Sequence, residues 1–372
     1  MTRDALVRAK KLVVKLGTGV LAPGGKFDAA RFDALADDLA AAAKERELTI
    51  VSSGAIALGV ERLGLATRPR DIPGKQACAA VGQSLLMRRY EDALGKRGLT
   101  VAQVLLTHAD IANRTRYLNA RHALAALHAS RAVPVINEND TVSVEEIRFG
   151  DNDALAGMVV DVVGAEALVL LTDIDGLFTA DPRTDPTATL VPELARVTPE
   201  VERLAGGAKS GVGTGGMASK LKAARRAAEA GAACVIANGT RPGALRAVLS
   251  GESVGTYVHA APRSRGRKRW LASDLRARGS LTVDAGARDA IERSGKSLLP
   301  SGVREVSGAF AAGEPVEIRD AAGPFARGLA GYSSDEIRRI LGKKTSEIEQ
   351  TLGYKVVDEV VHRDDLALLG KS

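Results

Sequence analysis

The sequence predicts an α/β fold built on a mostly parallel sheet, followed by a small β-rich domain. Three observations carry this. Up to about Gly255, apolar runs of strand length alternate with segments of helical periodicity. Several of those runs end in Gly, Ser, Thr, Asn or Asp, as at Gly17, Ser53, Asn137, Thr172-Asp173 and Asn238-Gly239, so their ends should line one rim, the edge where open α/β sheets bind ligands. Beyond a basic stretch at 263–269 the texture changes to short alternating segments.

The first strand, residues 11–16, is interrupted by Lys15 just before Gly17-Thr18-Gly19. A lone lysine buried there would be costly without an anion; on an edge strand it would simply be exposed. A helix follows from about Asp28, with Phe32, Leu35 and Leu39 at helical spacing and Lys44 and Arg46 near its end. Residues 48–51 form the next strand, ending in Ser52-Ser53-Gly54-Ala55, and residues 76–94 read as a helix. Further strands are expected at 101–106, 133–136, 167–171 and 233–237, with helices between most of them. The strand at 133–136 runs into Asn137-Glu138-Asn139-Asp140. A second polar cluster, Asp151-Asn152-Asp153, follows a short alternating segment. Either cluster by itself reads as a turn. Two of them bracketing one segment offer the donors and acceptors that suit the ammonium and carboxylate of an amino acid.

Residues 206–220 are rich in glycine and end in Lys220. Gly211 to Gly216 satisfies the spacing G-x-G-x-x-G, but that fingerprint needs a strand just before it, and residues 198–205 read as a helix. Lys220 is followed by Leu221 rather than Ser or Thr, so this is not a P-loop either. What remains is a glycine loop opening a helix at 217–230, whose free N–H groups make an anion site, with Lys220 in the first turn. Two lysines, a glycine loop, Gly17 after a strand, and Asp153 to hold both ammonium groups suit the charge on a transferring phosphoryl group. No His or carboxylate is placed as a general base for a hydroxyl. A carboxylate acceptor, with a pKa of about 4, needs none. The set favours a kinase that forms an acyl phosphate.

At 372 residues the chain accommodates one large α/β domain and a smaller one. Aromatics make up only 3 %, so Ala, Val and Leu must build the core. No apolar run approaches the length of a bilayer span, and the first residues lack a signal-peptide stretch; a cytoplasmic location without a membrane partner is expected. Cys78 and Cys234 fit no metal or redox spacing and are expected as buried thiols. The five His are scattered, which points to no metal site. The net charge of +7 permits anionic ligands without marking a nucleic-acid surface. The expected division is a catalytic domain at 1–260, a linker at 261–274, a small mixed β-barrel at 275–358 and a tail at 359–372. The basic run before Trp270 lacks interleaved aromatics and reads as a solvated linker rather than an RNA stripe.

Six blocks occur in order: Val14-Lys15-Leu16-Gly17-Thr18, Ser52-Ser53-Gly54-Ala55-Ile56-Ala57, Ile136-Asn137-Glu138-Asn139-Asp140, Phe149-Gly150-Asp151-Asn152-Asp153, Leu171-Thr172-Asp173 and Gly213-Thr214-Gly215-Gly216-Met217-Ala218-Ser219-Lys220. Together they resemble the amino-acid kinase family, and within it the members that phosphorylate the 5-carboxylate of glutamate at the start of proline synthesis. Residues 275 to about 355, with Gly331-Tyr332-Ser333-Ser334-Asp335-Glu336, resemble a PUA domain. The resemblance implies a three-layer α/β/α sandwich with a PUA-like β-barrel. It implies catalytic roles for Lys15 and Lys220 on the moving phosphoryl group, with Asp153 orienting them. Gly17, Thr214, Gly215, Gly216, Met217, Ala218 and Ser219 would lie with those lysines around the nucleotide phosphates, and Thr172 and Asp173 would line the nucleotide site. Ser53, Asp140 and Asn152 would bind glutamate, supported by Asn137. ATP with Mg²⁺, L-glutamate, proline as a feedback inhibitor, a homo-oligomer (dimer or tetramer), and RNA as a candidate partner of the PUA-like domain complete the set. Gly19 and Ser219 depart from the family's pattern, which would have Ser and Thr there. Kinases of this fold acting on aspartate, acetylglutamate, carbamate or UMP are disfavoured by the 137–140 and 150–153 blocks.

Overall fold

The computed structural model describes residues 3–143, 152–205, 216–261 and 277–369. The glycine stretch with Thr214 and Gly215, the alternating segment with Asp151, and the basic run at 263–269 lie outside the described residues. The chain divides into two compact units, Met1–Ala112 with Ala123–Arg263, and Asn113–His122 with Ser264–Ser372. Among the described residues no helix is long and apolar enough to cross a membrane.

The sheet of the first unit contains β1 (Lys11–Leu16), β2 (Glu47–Ser52), β3 (Thr100–Leu106), β4 (Ala132–Glu138), β5 (Ala167–Thr172), β6 (Glu193–Leu194), β7 (Ala233–Asn238) and β8 (Thr256–Val258). Their order is β3-β4-β2-β1-β5-β7-β8-β6. Every neighbouring pair is parallel except β7 with β8, an antiparallel return that three residues were too short to announce. The polar residues expected beyond the strands are partly their last rungs: Asn137 and Glu138 still pair with Leu105 and Leu106 of β3. The helix expected from residue 76 begins at Ile72, because the Asp71 carboxylate accepts the Gly74 N–H at 2.7 Å and Pro73 fits a first turn.

Strand alternation decides which side each residue of β1 serves. Leu12, Val14 and Leu16 join Phe32, Leu35 and Leu39 of the Ala29–Glu45 helix, and Leu86, Tyr90 and Leu94 of the Ile72–Gly95 helix, in one buried cluster. Val13 and Lys15 point the other way, toward the face covered by the Asn152–Val163 and Met217–Glu229 helices. Helices on both faces make the three layers. β1 lies between β2 and β5, and the chain fills one side of it before crossing to the other. That reversal opens a crevice at the carboxyl end of β1.

One wall of the crevice depends on two glycines. Where the Ala55–Arg62 helix crosses the Ile72–Gly95 helix, a Cβ on Gly59 would sit 1.8 Å from the Cys78 carbonyl oxygen, and one on Gly82 would sit 1.7 Å from the Ala55 carbonyl oxygen. Gly59→Ala gains about 1 kcal/mol of helix propensity. It must also push backbone aside, an overpacking cost of about 1–3 kcal/mol or more. The clash is with backbone, so the second effect wins. Thermal denaturation should show a Tm lower by several degrees; an unchanged Tm would mean the two helices separate freely.

The second unit holds β9 (Gly279–Val283), β10 (Val303–Gly308), β11 (Pro315–Asp320), β12 (Gly323–Leu329) and β13 (Leu366–Leu368), in the order β10-β9-β11-β12-β13. Only β9 with β11 is parallel among these pairs. Leu281, Ile318, Tyr332, Ile337 and Val361 are part of its core. Ser333 and Glu336 form a capping box at the start of the Ser334–Ile340 helix. The unit runs past the boundary expected at 358. β13 pairs with β12, and Val360, Val361 and Leu366 are core residues, so 359–369 belongs to the unit rather than to a tail.

Candidate active site

Lys15 comes from β1, Asp153 from the first turn of the Asn152–Val163 helix, and Lys220 from the first turn of the Met217–Glu229 helix. The fold brings the three together. Lys15 Nζ lies 2.5 Å from Asp153 Oδ1, and Lys220 Nζ lies 3.1 Å from Oδ2. The Ser219 hydroxyl donates to the same Oδ2 at 2.8 Å, so the serine at this departure from the family pattern serves the acid directly. Both lysines are 6 % exposed and Asp153 is 1 % exposed. Burial works to raise the Asp153 carboxyl, but the two ammonium groups and the hydrogen bonds from Lys15 and Ser219 outweigh it and hold the group well below the usual carboxylate range. Asp153 is therefore a permanent anion clamped between two cations.

Gly17 continues the same floor. Its N–H donates to the Leu171 carbonyl at 3.0 Å, and a Cβ there would stand 3.2 Å from that oxygen and 3.6 Å from Lys15 Nζ. The Met217–Glu229 helix has Gly216 at its N-cap, and among the described residues no side chain caps it, so the Met217 and Ala218 N–H groups of its first turn stand ready for an anion. Met217 is buried beneath this end and Ala218 stands in the first turn.

On one side of the triad a cavity of about 560 Å³ opens, lined by Ser53, Asn137, Asp140, Asn152 and Thr18 among others. The Asn152 amide donates to the Ser52 carbonyl at 3.2 Å, to Ser53 Oγ at 3.0 Å and to Asn137 Oδ1 at 3.0 Å. Asn137 in turn donates to Gln83 Oε1 at 2.8 Å, and Gln76 donates to the Asp140 carbonyl at 3.1 Å. These two glutamines were not foreseen; a Gln on a helix is ordinary, and nothing in its spacing marks a distant partner. Among the described residues Asn152 Oδ1 and Asp140 Oδ1 are buried without a hydrogen-bond partner, so two acceptors remain there for a ligand's donors. Burial first and the Glu138 charge second push the Asp140 carboxyl up to about 6. Glu138, also not singled out, accepts from Ser143 Oγ at 2.5 Å.

On the other side lie the ends of β5 and β7. Thr172 Oγ1 donates to Asp173 at 3.1 Å. The Asn238 amide donates to Asp175 Oδ1 at 2.9 Å and Arg241 to Asp175 Oδ2 at 2.7 Å, forming a polar shelf. A Cβ on Gly19 would fall 2.8 Å from the Asp173 carboxylate, so the glycine at this second departure gives Asp173 its place. Among the described residues no group of three or more His, Cys, Asp or Glu comes together as a metal cage.

A crevice at the switch point of a parallel sheet, floored by a buried lysine–aspartate–lysine cluster, has the charge arrangement that suits a phosphotransferase. Residues 10–238 match the model of the amino acid kinase family, and residues 279–352 match that of the PUA domain. The chain belongs to the amino acid kinase family and carries a PUA domain after the kinase fold. It is 59 % identical to the glutamate 5-kinase of Myxococcus xanthus (strain DK1622), covering 99 % of this chain and 98 % of that one. It is 52 % identical to the glutamate 5-kinase of Anaeromyxobacter dehalogenans (strain 2CP-C), with 99 % of each chain covered, and 51 % identical to that of Moorella thermoacetica (strain ATCC 39073 / JCM 9320), with 99 % and 98 % covered. Full-length likeness of this degree sets the chain among the glutamate 5-kinases of the family.

Proposed function

We propose that this enzyme transfers the γ-phosphoryl group of ATP to the 5-carboxylate of L-glutamate, giving glutamyl 5-phosphate and ADP for proline synthesis. The observation that carries the reading is the pair of lysines held on Asp153 between the polar cavity and the glycine-edged helix start. Glutamate occupies the cavity with its ammonium toward Asp140 and Asn152 Oδ1. Its 5-carboxylate reaches the floor beside Lys15. The nucleotide phosphates lie over Gly17 and the Met217–Glu229 helix start, near Thr172 and Asp173. Charge spreading over the transferring oxygens meets two ammonium groups already in place, so little reorganisation is required during the reaction. Asp153 positions those groups. It removes no proton, and the acceptor, already ionised, requires no base.

Mg²⁺ accompanies ATP in this reading. It would ride chiefly with the substrate phosphates. Bound there it would neutralise part of the phosphate charge. Turnover of ATP with glutamate, aspartate and acetylglutamate in competition tests the assignment. Glutamate should be consumed first, and added proline should compete with it. Preference for either other acceptor would overturn the reading.

Asp140 gives the reaction a pH dependence. Only its ionised form attracts an ammonium, and its carboxyl is raised to about 6. The KM for glutamate should therefore climb as the pH falls through about 6, roughly tenfold per further unit, while kcat at saturation holds. Folding has the opposite sign. A carboxyl raised above its unfolded value contributes stability below about pH 4, lost as the pH rises through about 6. Asp140→Asn should thus raise Tm at pH 7 while weakening glutamate binding. A KM that stays flat from pH 8 to pH 5 would detach Asp140 from the ammonium.

A further inference from the structure

We infer that Arg68 holds the α-carboxylate of glutamate, facing across the cavity the acid that holds the ammonium. The inference rests on glutamate as the acceptor. Glutamate carries three charged groups, and two have partners above: the 5-carboxylate at the lysine floor and the ammonium at Asp140. The α-carboxylate shares a carbon with the ammonium, so its partner must be a cation that acts close to Asp140.

Among the described residues that line the cavity, the cations are Lys26 and Arg68. Arg68 makes no hydrogen bond or ion pair within the described residues, so its guanidinium is uncommitted. Its positive charge is felt at Asp140, where it partly offsets burial and Glu138; that of Lys26 is not among the influences there. Of the two acids in the lining, Asp140 faces the ammonium and Glu61 would repel a carboxylate.

The backbone explains how an exposed loop arginine keeps its post. Pro69 restricts Arg68 to extended conformations. Two residues later Asp71 caps the Ile72–Gly95 helix. Pro69 also packs on the helix start, where a Cβ on Gly74 would come within 2.8 Å of its own Cβ. The loop is thereby fastened to the helix that also supplies Gln76 and Gln83. A guanidinium fork matches a carboxylate with two parallel hydrogen bonds, which a lysine cannot reproduce.

The test compares glutamate with 4-aminobutyrate, which is glutamate without its α-carboxylate. Full-length Arg68→Ala, Arg68→Lys and Lys26→Ala are assayed beside the unmodified chain by steady-state kinetics. Calorimetric titration with glutamate and inhibition by 4-aminobutyrate accompany them, with a thermal melt for each variant. Arg68→Ala should raise KM and Kd for glutamate about 10- to 100-fold, keep kcat within about threefold, and leave inhibition by 4-aminobutyrate unchanged. Arg68→Lys should fall between, and Lys26→Ala should match the unmodified chain. An unchanged glutamate KM in Arg68→Ala overturns the inference. So does an equal loss for 4-aminobutyrate, which would mean a disturbed loop, or a loss that follows Lys26 instead. An unmodified chain that prefers another acceptor overturns the glutamate assignment itself, a result read before any variant is compared.

Discussion

Lys220→Ala should lower kcat by about 10²- to 10³-fold, with Lys15→Ala close behind. Removing one preorganised charge from a transition-state site typically costs about 3–4 kcal/mol. Here the conditions favour the upper end. Both ammonium groups are buried, so water cannot enter freely to replace the lost charge, and Asp153 fixes both in advance. The effect belongs mainly to kcat, because charge on the transferring oxygens differs between ground and transition states. Steady-state kinetics on variants shown to be folded by circular dichroism would settle it. A kcat near that of the unmodified enzyme in either variant would remove that lysine from the chemistry.

Asp153→Asn should damage both activity and folding. The carboxylate oxygens hold two buried ammonium groups and one hydroxyl. A neutral amide leaves two like charges facing each other out of reach of solvent. Breaking a buried charge cluster this way costs about 3–5 kcal/mol, a large share of the stability of an ordinary domain. Lys15→Met added to Asp153→Asn should recover part of the lost Tm, since it removes one uncompensated charge, and should recover no activity. Equal Tm values for Asp153→Asn and the unmodified chain would contradict this account. The pH linkage follows from the depressed Asp153 carboxyl. Its contribution to stability is fully present above the unfolded value of about 4 and is lost only as the pH falls through the lower folded value. Mild acid should therefore leave the cluster intact while it already protonates Asp140 and weakens its hold on the ammonium of glutamate.

Some of this architecture was legible in the chain because the signals were local. Lys15 interrupts an apolar run, and a charge inside a central parallel strand calls for a partner. The strand ends at Gly17, Ser53, Asn137 and Thr172 announced a common rim because parallel strands all finish on the same edge. What stayed hidden was set by distant contact. Gln83 supports Asn137 from 54 residues away, and Gly59 and Gly82 look like weak points in two helices until their crossing is seen. Nothing in the sequence around Arg68 reveals that it borders a cavity. β8 and β13 have three residues each, too few to display a period.

The late position of β13 has a consequence for trimming the chain. β13 (Leu366–Leu368) pairs with residues 326–328 of β12, and Val360, Val361 and Leu366 are core residues of the second unit. Cutting the chain back before Val360 would bare that edge of β12 together with the apolar surface these side chains cover. An uncovered strand edge beside apolar surface invites pairing with another molecule, so such a shortened protein should aggregate.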